Sequence, residues 1–275
     1  MLEDYTVTHN TSLATKIVEN LSKNDQNVLF LSLDMHDNLL YSRLLQRVSG
    51  LNIEQKLRSK IETDPSYDPT YSFSSDSRLK RAFDQVENLY GNVDFDFTRG
   101  CTIESIEEGI KANKTKYGDN LKMVVVDYLE KVRGPFSDAT ANSGYVASRL
   151  SDLASTYDVV VILLLQPQKS AGDPSEELLS MRKVKGASVI EQDCRVILTM
   201  WRPGFNPSDS SNDDYATIAV VKNNMGPVTQ IDFGWNGLKG EFKELNSIEQ
   251  ADLAALRKAI KEEKEEKRKN GEFGS

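Results

Sequence analysis

Two aspartates stand directly after apolar runs. Asp127 follows Met123-Val124-Val125-Val126, and Asp34 follows Phe30-Leu31-Ser32-Leu33. A short continuous apolar run reads as a strand buried on both faces, and the residue after it sits at the strand's carboxyl end, where open α/β sheets bind ligands. An acid at that place is either a helix cap or turn former, or a carboxylate presented to a ligand. Gln166 ends the apolar run 159–165 in the same way. The segment 167–188 then carries Lys169, Arg182, Lys183 and Lys185, a cationic group that is either a solvated face or a contact for anions. Lys222 closes Ala219-Val220-Val221 and leads into Asn223-Asn224-Met225-Gly226-Pro227, which reads as a turn.

These residues need a frame, and the apolar spacing supplies one. Thr11 can cap a helix carrying Leu13, Ile17, Val18 and Leu21 at helical intervals, followed by a buried strand over 27–33. Helices are expected over 39–48, 78–88, 103–116 and 148–155, and strands over 93–97, 123–126, 159–165, 196–201 and 215–221. Residues 64–77 and 203–214 read as loops. Strands alternating with helices imply an α/β fold with a mostly parallel sheet covered on both faces.

Composition narrows the class. The chain has 275 residues, 39% hydrophobic, and a net charge of −8, so any nucleic-acid contact must come from a local cationic patch rather than a basic coat. Cys101 and Cys194 are too few for a disulfide framework or a zinc site and suit a reducing compartment. No apolar run approaches the ~20 residues that span a bilayer, so no membrane partner is expected. Residues 250–269 are dense in Lys, Glu and Arg with only a thin stripe of Leu253, Leu256 and Ile260, and read as a solvated or partner-docking helix. Residues 271–275, Gly-Glu-Phe-Gly-Ser, look like residues encoded by in-frame restriction sites and are left out of the fold.

Taken in order, Phe30 to Met35, Asp127-Tyr128-Leu129-Glu130, Ile190-Glu191-Gln192-Asp193 and Lys222 to Pro227 resemble the RecA-like ATPase domain of DnaB-like replicative helicases, phage and bacterial. The resemblance runs over 11–242. It implies ATP and Mg²⁺ as cofactors, a homo-hexameric ring, translocation on single-stranded DNA, primase as a possible partner and a cytoplasmic site of action. It makes Asp127 the Mg²⁺ carboxylate with Thr11 as second ligand, places Thr11 and Ser12 at the nucleotide, and makes Asp34, where the family has Glu, the base that polarises the attacking water. Gln166 becomes the sensor of the γ-phosphate, and Arg182, Lys183 and Lys185 become contacts to the DNA backbone. Lys222 reaches the nucleotide of the adjacent subunit. Asn224 stands where the family places an arginine finger, leaving that charge to another residue such as Arg202. A RadA- or KaiC-like ATPase would share the fold, and an ATPase-deficient subunit would show the same departures.

The family's phosphate site needs glycines whose backbone N–H groups wrap the phosphates, then Gly-Lys-Thr/Ser. Residues 4–10 before Thr11 are Asp-Tyr-Thr-Val-Thr-His-Asn, with neither glycine nor lysine. A degenerate phosphate loop is one reading. The other is that residues 1–10 resemble the C-terminal end of an intein, which finishes in His-Asn before Cys, Ser or Thr. In that resemblance Asn10 cyclises to cut its own peptide bond, His9 protonates the leaving group and the Thr11 hydroxyl accepts the acyl chain. The expected organisation is therefore a remnant over 1–10, an ATPase domain over 11–245, a charged helix over 246–270, and an upstream fragment that supplies the phosphate loop.

Overall fold

The computed structural model describes residues 8–53, 77–165, 187–202 and 215–269. The chain divides into two compact units, 1–166 with 185–194, and 167–184 with 195–275.

The first unit is an α/β layer. Its described elements are α1 (Thr8–Ser22), β1 (Asn27–Ser32), α2 (Asp37–Ser49), α3 (Ser77–Tyr90), β2 (Val93–Asp96), α4 (Ile103–Tyr117), β3 (Leu121–Asp127), α5 (Ala139–Tyr157), β4 (Val160–Leu163) and α6 (Ala187–Asp193). The strands form one sheet in the order β2-β1-β3-β4, and every pairing is parallel. Alternate residues explain the layering. Leu29, Leu31, Val124 and Val126 face a core with Ile106 and Ile110 of α4 and Val146 and Leu150 of α5. Val28, Phe30, Met123 and Val125 face the opposite core with Ala14 and Val18 of α1, Leu44 of α2 and Leu79 of α3. Because both faces are covered, β1 is buried at every position, which is why its sequence runs apolar without alternating. The helix ends have their own local causes: Thr102 and Ser105 form a reciprocal capping box before α4, Asp138 accepts from the Ala141 N–H before α5, and Gly50 ends α2 at φ 66, a value that favours glycine.

The second unit is built differently. β5 (Val196–Trp201), β6 (Tyr215–Asn223), β7 (Thr229–Asn236) and β8 (Glu241–Glu244) pair antiparallel in that order, and α7 (Ser247–Lys269) follows. β7 and β8 are absent from the strands expected on sequence. Half of the described strands are thus antiparallel, because the hairpins of this unit need no crossover helix. The first half of the charged C-terminal helix is docked on the sheet of its unit, while most described positions after Arg257 are exposed. Leu253 is 1% exposed, and Arg257 donates to Asp232 Oδ2 at 2.7 Å, to Asp232 Oδ1 at 2.7 Å and to Thr217 Oγ1 at 2.8 Å. Its guanidinium also lies 5.7 Å from the Trp201 ring. A bidentate pair of this kind fixes register as well as energy. No helix among the described residues is long and apolar enough to cross a membrane.

Candidate functional site

Register brings the two acids together at one end of the parallel sheet. Ser32 pairs with Asp127 across β1 and β3, so Asp127 ends its strand level with the end of β1 and Asp34 follows two residues later. The Leu33 N–H donates to the Asp127 carbonyl at 2.8 Å, locking the two strand ends. The Asp127–Tyr128 peptide is cis.

α1 supplies the third group. It begins at Thr8, so Thr11 lies inside the first turns rather than at the cap expected on sequence; one residue earlier, the Asn10 amide donates to the Leu165 carbonyl at 3.0 Å. Thr11 Oγ1 donates to Asp127 Oδ2 at 2.8 Å, across 116 residues of sequence, with both side chains 3% exposed. Burial pushes the Asp127 carboxyl up to about 6. The Thr11 hydrogen bond and the charge of Arg43 oppose that shift, while the charge of Asp34 adds to it. A carboxylate so placed is short of compensating charge, which is what a cation would provide.

Asp34 is the more open acid. Lys131 Nζ lies 2.9 Å from Asp34 Oδ1, with side-chain exposures of 41% and 28%. The bond to Asp34 holds the Lys131 ammonium above its ordinary range, and the same ammonium sits 5.3 Å from the Tyr128 ring centroid. Arg99 Nη1 donates to the Leu33 carbonyl behind the loop, and Arg43 Nη1 contacts Met35 Sδ at 2.9 Å. Lys131, Arg43 and Arg99 are not among the residues that the sequence singles out. Only Lys131 carries a signal there, as the residue immediately after Asp127-Tyr128-Leu129-Glu130.

The other expected site residues divide by unit. Ser12 lies in α1, where its carbonyl accepts from Thr15 Oγ1 at 3.0 Å, and His9 lies in the first turn of the same helix. Gln166, Arg182, Lys183 and Lys185 fall outside the described residues. Lys222 and Asn224 belong to the second unit: Lys222 is on β6 opposite Ile197, and Asn224 is exposed in the β6–β7 turn with its N–H on the Arg195 carbonyl at 3.0 Å. Asn223 shapes that turn by accepting from the Met225 N–H at 3.0 Å and donating to the Pro227 carbonyl at 3.3 Å. Arg202 does not fit the part of a substitute finger. It is 6% exposed, lies 5.8 Å from the Trp235 ring, and burial lowers its guanidinium to about 10; a finger has to reach out of its own subunit, and this one is packed into the core of its unit.

The family model for the DnaB-like helicase C terminal domain matches residues 8–244. The chain is 26% identical to the replicative DNA helicase DnaB of Pasteurella multocida over 246 residues, covering 88% of this chain and 50% of that protein. It is 25% identical to the replicative DNA helicase DnaB of Geobacillus stearothermophilus over 222 residues, covering 79% and 46%. The chain therefore spans about half the length of these curated relatives. Among solved structures, one ATPase domain aligns with a TM-score of 0.70 at 21% identity, covering 86% of this chain and 80% of that one. A DnaB-like replicative helicase, solved in a study of its interactions with primase, aligns with a TM-score of 0.70 at 22% identity, covering 86% and 56%. The fold is thus the RecA-like α/β fold. With the matching model covering most of its length, the chain belongs to the DnaB-like helicase C-terminal domain family.

Proposed function

We propose that this chain is the ATPase portion of a ring-forming replicative DNA helicase that moves on single-stranded DNA. The observation that carries the reading is the buried contact of Thr11 with Asp127 at 2.8 Å at the carboxyl end of a parallel sheet. The donor set fits Mg²⁺, which takes few protein oxygens and keeps waters and phosphate oxygens for the rest of its shell. Thr11 Oγ1 and Asp127 Oδ2 would be its protein ligands. When bound, the ion would neutralise charge on the transferring phosphate. Asp34 then orients and deprotonates the attacking water, and Lys131 sets where its carboxylate points. Gln166 reads the γ-phosphate. Ser12, Lys222 and Asn224 meet nucleotide, the last two that of an adjacent subunit, and Arg182, Lys183 and Lys185 meet the DNA backbone. Homo-hexamer formation and a primase contact belong to the same reading by relationship.

The phosphate cradle would come from a glycine-rich segment ending in Gly-Lys, joined ahead of Thr11. His9, Asn10 and Thr11 support joining by intein chemistry, with an upstream fragment as partner. A second reading, an ATPase-deficient subunit, is favoured by the Lys131 ion pair on Asp34 and by Asn224 in place of an arginine. One experiment separates the two. Residues 1–10 are replaced by an apolar strand and a glycine-rich segment ending in Gly-Lys, and Mg-ATP is titrated by calorimetry. Phosphate release from Mg-ATP is followed beside it: micromolar binding with phosphate release, both lost in Asp127→Asn, supports the ATPase reading, and binding without phosphate release favours the second.

A further inference from the structure

Lys131 has a fixed backbone and an exposed side chain. It ends a single 3-10 turn, Leu129–Lys131, whose flanks are tied down. The Leu129 N–H donates to the Leu164 carbonyl at 2.9 Å, the Val132 N–H to the Leu129 carbonyl at 3.0 Å and the Arg133 N–H to the Cys101 carbonyl at 2.8 Å. Leu129 and Val132 are both buried. The Lys131 side chain is exposed, lies over the Tyr128 ring and meets Asp34 Oδ1 at 2.9 Å. An ion pair this open is weak, so a more highly charged anion at the same place is the stronger partner for the ammonium.

The position of Asp34 identifies that anion. As the base, Asp34 must come within hydrogen-bond reach of the attacking water, and that water stands about 3 to 3.5 Å from the phosphorus it attacks. An ammonium bonded to Asp34 is therefore about two such contacts from the transferring phosphate, and rotation of a flexible four-carbon stem covers that span. The charge of Asp34 is felt at Asp127, so the lysine and both acids belong to one site. Neither Asn224, which is uncharged, nor Arg202, which is packed against Trp235 in its own unit, supplies a cation for that phosphate.

We propose that Lys131 is a phosphate ligand that changes partner: it holds the Asp34 carboxylate until a nucleoside triphosphate arrives, then turns to the terminal phosphate and leaves Asp34 free to act as the base. The proposal rests on the ATPase reading above. One side chain then links binding to chemistry. The charge that draws Lys131 away is the charge its ammonium stabilises. A nucleoside diphosphate has no third phosphate to draw it, so Lys131 stays on Asp34 and the base stays capped. In the hydrolytic step the water oxygen bonds to the phosphorus and its proton passes to Asp34, while the bond to the bridging oxygen breaks and that oxygen leaves on the diphosphate.

The test uses the chain with the apolar strand and the Gly-Lys segment in place of residues 1–10. Mg-ATP and Mg-ADP are each titrated by calorimetry, and phosphate release is followed. The parent should bind Mg-ATP more tightly than Mg-ADP. Lys131→Met, a change at an exposed side chain that should keep the circular dichroism of the parent, should weaken Mg-ATP by about tenfold and leave Mg-ADP as it was. It should also slow phosphate release by at least about tenfold, and Lys131→Arg, which keeps the charge, should recover most of the preference for Mg-ATP. An unchanged ratio of the two affinities in Lys131→Met overturns the proposal: faster release would then make Lys131 only a cap on Asp34, and slower release only a support for it. A parent that binds both nucleotides equally well overturns it too. A parent that binds neither overturns the ATPase reading and this proposal with it, which tells the two failures apart.

Discussion

Glu19 and Asp127 are equally hidden, 4% and 3% exposed, and burial drives both carboxyls upward. Their neighbours separate them. Lys23 Nζ at 2.6 Å, Lys16 Nζ at 2.9 Å and the Tyr90 hydroxyl at 3.3 Å all donate to Glu19, with Arg47 at 3.6 Å. Burial works against them, but the Lys23 and Lys16 bonds and the Arg47 charge outweigh it and leave Glu19 below the usual range. Asp127 has one hydroxyl bond and stays near 6. Three cations and the Tyr90 hydroxyl on one buried acid make a joint between α1, α2 and α3; a buried acid with one hydroxyl makes a site still waiting for charge. The lesson is that burial alone does not mark function, while burial with unmet charge does.

The largest effect should come from breaking the satisfied side. Glu19→Ala leaves Arg47, 5% exposed, without its carboxylate, and removal of one partner of a buried pair costs about 3 to 5 kcal/mol; urea unfolding of the first unit would read it. The depressed pKa of Glu19 adds a sign: its contribution is present above the carboxyl's unfolded pKa and fades as pH falls through the folded value.

Asp127→Asn should act in the opposite direction. A carboxyl raised from 3.8 to about 6 contributes stability below its unfolded pKa and loses it as pH rises through the folded value. Removing the charge should therefore stabilise the fold at pH 7.5 by about 2 kcal/mol and change little at pH 3, measured by thermal unfolding at both. Equal effects at the two pH values would place the cause elsewhere.

Thr11→Val tests the hydroxyl bond to the Asp127 carboxylate. It should cost about 1 kcal/mol and carry the Asp127 titration, followed by carboxyl NMR, to higher pH. Smallest of all is Lys131→Met. An ion pair this exposed is worth at most about 1 kcal/mol, so stability should barely move; the readout is instead a shift in the pH dependence of hydrolysis by the completed protein.

The parallel half of the fold is legible because strands buried on both faces write themselves as unbroken apolar runs, as in β1 and β3. Asp34 and Asp127 are legible for the same reason, as the first acids after those runs. β7 escapes a sequence reading although Ile231, Phe233 and Trp235 alternate properly, because the interleaved Asp232 and Gly234 are residue types that strands disfavour; Asp232 is in fact the anchor for Arg257. The docking of α7 escapes it because a thin stripe around Leu253 gives no hint that the arginine one turn further on is satisfied by the sheet. Lys131 is hidden because a cation's partner is set by tertiary approach, here of the β1 and β3 ends, and local sequence carries no record of it. Arg202 illustrates the reverse error, since an arginine near a loop invites a functional role that its packing on Trp235 denies.

Central to the proposed function is that Thr11 and Asp127 together form the cation end of a nucleotide site. Calorimetric titration of Mg-ATP into the chain carrying the apolar strand and the Gly-Lys segment in place of residues 1–10, side by side with its Asp127→Asn form, tests it most directly. The expected result is micromolar binding in the first and at least about a tenfold loss in the second, with ATP in EDTA binding both alike. Equal Mg-ATP affinity in the two proteins would contradict it.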